Sequence, residues 1–309
     1  MSRRWSVVAA LLTVGALGIA GCIPPPPAPP AALSPLPIDI THAVGVTSAT
    51  FTDTTRPTAG LDAYPGSPVR QLPTTIWYPA DGGGPFPLVV FAHGYGVTPS
   101  YYSSLLSRIA AAGYVVAAPT YPLLSGEPAG PTETVDWGQL FPDTWFVTSR
   151  VLELSASGGG PLGGLIDPNR IAVAGHSDGA DIAFGDGYQP FRLDWRVRAV
   201  VAFAADLGSL GSYQQNGRPI LHVLSEDDEY NPYANAIAWD RSTLQEPKHA
   251  LSLRNASHAP PFTDAGDPHF ALVVKVTVAF LDSTLKAHPE AMTAASTYVA
   301  AHASLAALE

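Results

Sequence analysis

A single cysteine, Cys22, excludes a disulfide within the chain and any metal site built on several thiolates. Positive charge is also scarce. Sixteen Lys and Arg stand against 26 Asp and Glu, for a formal net charge of −10. That balance disfavours nucleic acid or an anionic membrane surface as an electrostatic partner. No internal repeat is present, which sets aside solenoid and propeller arrays. Charged residues make up only 14% of the chain against 46% hydrophobic, a ratio that excludes a disordered polymer. The 309 residues are enough for one large domain or two small ones.

What is present begins at the N-terminus. Arg3 and Arg4 precede an almost uncharged apolar stretch, Trp5 to Ala20. This is short for a membrane span and has the layout of a signal peptide. Ile19-Ala20-Gly21-Cys22 resembles the lipobox of bacterial lipoproteins, which places the one cysteine where a lipid would be attached. The alternative is an ordinary secretory signal. Arg3-Arg4 leaves general secretory versus twin-arginine export open. Proline then clusters at residues 24–27, 29, 30, 35 and 37. Such a segment favours extended polyproline II, and some fifteen residues would reach about 45 Å. The expected organisation is a signal peptide over 1–21, a Pro-rich tether over 22–37 and one folded domain over 38–309. The folded part would then be exported and held outside the cytoplasm through lipid on Cys22.

Within that domain, short apolar runs alternate with helical patterns. Strands are expected at 74–78, 87–92, 114–118, 170–174, 197–203 and 220–224, with a short one at 251–253. Helices are expected at 101–112, 141–154 and 270–285, and an Ala-rich helix or frayed tail over 291–308. Apolar strands alternating with helices imply a mostly parallel, doubly wound α/β sheet with helices on both faces. No stretch is long enough for a large cap domain. The segments 123–143 and 206–218 are candidate cavity walls, the first carrying Trp137.

The most specific motif is Gly175-His176-Ser177-Asp178-Gly179, between an apolar strand and a small-residue helix. Gly-x-Ser-x-Gly in a strand–turn–helix setting lifts the serine onto a sharp elbow above the sheet edge. Serine needs a base, and the base needs an orienting carboxylate. Both follow in the chain order Ser, acid, His. Glu226, Asp227, Asp228 and Glu229 compete for the acid position after one strand, and Asp206 follows another. His258 lies on a polar loop after residues 251–253 and is the candidate base. His222 reads as core, His249 as surface and His269 as a weaker competitor, while His42, His288 and His302 lack context. Oxyanion donors are expected from the backbone N–H groups of Asp178 and of Tyr95, in the loop His93-Gly94-Tyr95-Gly96. Tyr95, Tyr121 and His176 are candidate substrate-lining residues.

These segments together resemble the α/β-hydrolase superfamily. The resemblance rests on residues 76–80, 91–95, 112–116, 166–177 and 276–282. It is strongest toward the branch holding bacterial cutinases and polyester hydrolases, platelet-activating-factor acetylhydrolases, chlorophyllases and dienelactone-hydrolase-like proteins. The branch's acid motif is similar to Glu226-x-Asp228-x-x-x-Pro232, and its base motif to Ala256-Ser257-His258. The resemblance therefore implies the triad Ser177, Asp228 and His258. It implies a serine carboxylester hydrolase acting on a small-molecule or polymeric ester without metal or organic cofactor. Monomer is the default. A peptidase or amidase on the same fold, or a non-catalytic ligand-binding lipoprotein, are the competing readings.

Two departures from the polyester hydrolases stand out. His176 and Asp178 flank the serine where those enzymes often carry Trp and Met, and their C-terminal disulfide cannot form here. A carboxylate about 6 Å from an oxyanion opposes it by roughly 2–3 kcal/mol at an effective dielectric near 20. The Asp178 side chain is therefore expected to turn away or to meet a cation.

Overall fold

Apolar runs too continuous for a half-exposed strand form the middle of a nine-stranded sheet among the described residues, in the order β1-β2-β4-β3-β5-β6-β7-β8-β9. The computed structural model describes residues 38–126, 136–206, 213–243 and 247–309, all within one unit, Ser34–Glu309. The expected signal peptide, Cys22 and the tether lie outside the described residues, as do 127–135 and 207–212 of the two candidate walls.

The strands are β1 (Val44–Asp53), β2 (Arg70–Pro79), β3 (Phe86–Ala92), β4 (Val115–Pro119), β5 (Ile166–His176), β6 (Val197–Phe203), β7 (Ile220–Ser225), β8 (Lys248–Leu253) and β9 (Ala306–Leu308). From β4 through β8 neighbouring strands pair parallel, while β1, β2 and β9 add antiparallel edges. Successive side chains on β3 feed different cores. Val89 and Phe91 pack on the face covered by α1 (Ser103–Ala111) and α6 (Phe270–Leu285). Leu88 and Val90 pack on the face covered by α2 (Trp137–Ala156) and α3 (Asp178–Tyr188). This is the two-sided burial that parallel strands need. It is an α/β-hydrolase fold, and it brings the carboxyl ends of β3, β5, β7 and β8 to one edge, where open α/β sheets bind ligands.

Three expectations change. The tail over 291–308 is a helix, α7 (Glu290–Ala300), followed by β9, which pairs with Leu251–Leu253. Its three residues are too few to show a strand pattern, and pairing at the sheet edge decides the outcome. Helix α2 begins at Trp137 rather than Phe141 and carries Pro142 inside it. His249 falls within β8 rather than before it. By contrast His222 is fully buried in β7, as its mid-strand position implies.

The start of α2 is held by charge rather than by a cap. Its N-cap residue, Asp136, makes no side-chain cap bond. Its carboxylate instead accepts from Arg70 Nη1 at 2.9 Å and Nη2 at 2.8 Å. Arg70 is 0% exposed, and it also donates from Nε to Asp143 at 2.7 Å and from Nη2 to the other Asp143 oxygen. Arg56 joins Asp53 at 2.7 Å to Asp143 at 2.8 Å. Burial would pull the Arg70 guanidinium down, but its two carboxylates raise it further above its usual range.

Candidate active site

Ser177 sits between β5 and α3 with φ 56° and ψ −127°, a left-handed-side conformation rare outside glycine. The neighbouring glycines explain how the chain fits there. A Cβ on Gly175 would lie 1.9 Å from the Gly179 carbonyl oxygen, and one on Gly179 would lie 2.1 Å from that of Ala92. Only bare backbone lets helix and strands approach this closely. The Ser177 N–H donates to Phe203 O at 2.9 Å, which ties the elbow to β6.

Asp228 is the candidate acid whose carboxylate bonds the His258 ring among the described residues. Asp228 accepts from His258 Nδ1 at 2.8 Å through Oδ2 and at 3.0 Å through Oδ1. Its Oδ1 also accepts the Tyr230 N–H at 2.9 Å and the Asn231 N–H at 2.8 Å. Burial pushes its carboxyl up, but these donors more than offset that and hold it below its ordinary value. Glu229 instead accepts the backbone N–H of His258 at 3.1 Å. Glu226 pairs with Arg254 at 3.6 Å, and the Asp227 backbone N–H binds Ala256 O. Asn231 Nδ2 donates to Ala204 O at 2.7 Å and anchors the acid loop to the end of β6. The exposed Tyr230 ring stands edge-on to His258 at 5.0 Å. Away from this pair, His269 caps a different corner, with Nε2 bonded to Arg254 O at 2.9 Å.

The loop after β3 lies against the elbow. A Cβ on Gly94 would come within 3.2 Å of Ser177 Cβ. Two bonds to the segment after β4 set the loop's path. His93 Nε2 accepts the Tyr121 N–H at 3.0 Å while Nδ1–H donates to Gly94 O at 2.8 Å. The Gly96 N–H donates to Leu124 O at 2.8 Å. Burial drops the His93 pKa to about 4, against the opposing pull of Gly94, so the ring is neutral as these bonds require.

Ser177, His258, Asp178 and Tyr95 share one cavity of about 850 Å³. Trp137, Tyr101 and Tyr230 add aromatic wall, and Asp181 and Asp206 add acid. Tyr101, Tyr230 and Asp181 were not legible as site residues, since nothing in their local pattern marks them. One of the three lining candidates needs correction. Tyr121 is fully buried, and its hydroxyl bonds Thr144 at 2.7 Å, so it is core rather than wall. His176 borders the cavity but is 3% exposed, with both ring nitrogens engaged. Asp178 remains at the cavity, in the first turn of α3 with Asp181. An acid there complements the positive end of the helix dipole. Among the described residues, no group of three or more His, Cys, Asp or Glu is placed to hold a metal ion.

A family model of chlorophyllases matches residues 54–221. The chain belongs to the chlorophyllase family. No curated protein matches it. In this member of the chlorophyllase family the matched stretch contains the loop after β3 and the Ser177 elbow. It ends before Asp228 and His258, whose pairing is read from the geometry.

Proposed function

We propose that the chain is a serine carboxylester hydrolase. The observation that carries this reading is the Asp228–His258 pair, whose histidine shares a cavity with a serine held at φ 56°. Ser177 Oγ attacks the ester carbonyl while His258 Nε2 takes its proton. Asp228 keeps the His258 Nδ1 proton in place and stabilises the imidazolium. The N–H groups of Tyr95 and Asp178 receive the oxyanion. The proton passes to the departing alkoxide and leaves an acyl-serine. Water, deprotonated by His258, then releases the acid and restores Ser177. A series of p-nitrophenyl esters from acetate to palmitate, beside matched p-nitroanilides, tests this reading. Hydrolysis of esters well ahead of anilides is expected, and turnover of anilides alone would favour an amidase.

The wall chemistry narrows the substrate. Asp178, Asp181 and Asp206 border the cavity, and no Lys or Arg does among the described residues. At about 7 Å and an effective dielectric near 20, each carboxylate opposes a substrate anion by about 2 kcal/mol. Esters with a terminal acyl carboxylate are expected to show kcat/KM at least about tenfold below neutral esters of equal length. Raising ionic strength from about 0.01 M to about 1 M should narrow the gap. Equal rates at low salt would refute this.

We also propose that the domain is exported and anchored through lipid on Cys22, with residues 22–37 as tether. Labelling of cells with an alkyne fatty acid is expected to mark the wild-type chain and not Cys22→Ser. Labelling of both, or of neither, would contradict it.

A further inference from the structure

The residue before the serine borders the cavity and touches the site on two sides. His176 Nε2 is 2.9 Å from the carbonyl oxygen of His258. A carbonyl can only accept, so Nε2 carries the proton. His176 Nδ1 lies 2.9 Å from the Tyr102 hydroxyl, and that hydroxyl is 3.2 Å from the Gly94 N–H. In a neutral ring Nδ1 is then bare and accepts from Tyr102 O–H, whose oxygen accepts from Gly94. Only one proton arrangement satisfies all three bonds with a neutral ring. It runs from the oxyanion loop through Tyr102 and His176 to the backbone of the base.

Surroundings keep that arrangement in place. Tyr102 is 1% exposed and His258 7%. The His176 ring packs 4.6 Å from the His258 ring and 5.1 Å from Phe262. Burial, with the neighbouring His258 adding to it, lowers the His176 pKa to about 3. A second cation therefore does not arise beside His258 when that ring takes the serine proton. Burial foremost, with nearby Tyr101 and Asp178, raises the Tyr102 hydroxyl well above its usual value, so it stays protonated.

We propose that His176 and Tyr102 are positioning residues that lock the Gly94–Tyr95 loop and His258 into one register across Ser177. The inference rests on the ester-hydrolase reading above. Local strain at Ser177 orients the nucleophile alone, while this chain of hydrogen bonds sets the distance between oxyanion donors and base. Misplacement of reacting groups by about 1 Å costs on the order of 100-fold in rate.

The test is a double-mutant cycle on the full-length protein with p-nitrophenyl butyrate. Tyr102→Phe keeps the ring and its packing and removes both hydroxyl bonds. His176→Gln keeps a donor toward His258 O and loses the acceptor toward Tyr102. Each single variant is expected to lower kcat about tenfold, with KM within about twofold. The double variant should fall little further than the worse single one, because cutting the chain at either point has the same consequence. If His176→Gln does not fold, the kcat-against-KM split of Tyr102→Phe decides alone. Unchanged kcat in Tyr102→Phe, or effects that multiply to about 100-fold, would overturn the inference while leaving an active esterase. A wild type inactive on every ester would overturn the underlying reading, and this inference with it.

Discussion

Asp228→Asn is expected to lower kcat for ester hydrolysis by about 10⁴-fold with little change in KM. The direction follows from how the carboxylate is held. Its Oδ1 accepts two backbone N–H groups, from Tyr230 and Asn231, and Oδ2 lies closest to His258 Nδ1, at 2.8 Å. An asparagine must keep its oxygen on the two N–H donors. Its NH₂ then replaces Oδ2 and faces Nδ1. That geometry forces the imidazole proton onto Nε2, the atom that must accept from Ser177. Asp228 is absent from the described cavity lining, so binding should be nearly untouched. Steady-state kinetics of the purified variant check this, with circular dichroism to show the fold retained. A fall of less than about tenfold would mean that Asp228 does not orient the base.

Arg70→Met is expected to cost roughly 3–5 kcal/mol of stability, because it strands buried carboxylates rather than replacing a whole ion cluster. Asp136 would lose both hydrogen bonds from Arg70, and Asp143 would keep Arg56 as its cation among the described residues. At about 2–4 °C per kcal/mol for a domain of this size, Tm should drop by roughly 10 °C. The loss should depend on pH with a definite sign. An unpaired buried aspartate has its folded-state pKa raised, so the variant gains stability as falling pH protonates that group. The gap from wild type should therefore be wider at pH 8 than near pH 4. Differential scanning calorimetry at both values checks it, and a Tm shift below about 3 °C would show the cluster to be dispensable. The same variant loosens the start of α2, where Trp137 borders the cavity.

Legibility followed contact range. The elbow is five consecutive residues whose spacing is itself the geometry, so Ser177 and its two glycines could be read directly. The buried strands β3 to β7 announced themselves as continuous apolar runs. The acid was harder. Four neighbouring carboxylates had equal local claims, and only the resemblance favoured Asp228; its contact with His258 spans thirty residues. Tyr102 left no signal at all. It reads as the start of a helix, and its partner His176 is 74 residues away. The Arg70 cluster likewise joins residues 66 and 73 apart. Edge strands β1 and β9 lack a readable pattern for another reason. β1 alternates toward solvent, and β9 has three residues, so pairing with neighbours rather than hydrophobic pattern defines both. Tyr121 failed as a lining residue because its aromatic ring serves the core, a use that sequence cannot separate from exposure at a cavity.

The central claim is that Ser177 is a nucleophile activated by His258. Active-site titration with a fluorophosphonate probe, followed by peptide mapping, tests it most directly. The account predicts one phosphonyl adduct per chain, on Ser177, absent in Ser177→Ala and strongly slowed in His258→Ala. No adduct on the wild type, an adduct elsewhere, or equal labelling of Ser177→Ala would contradict it.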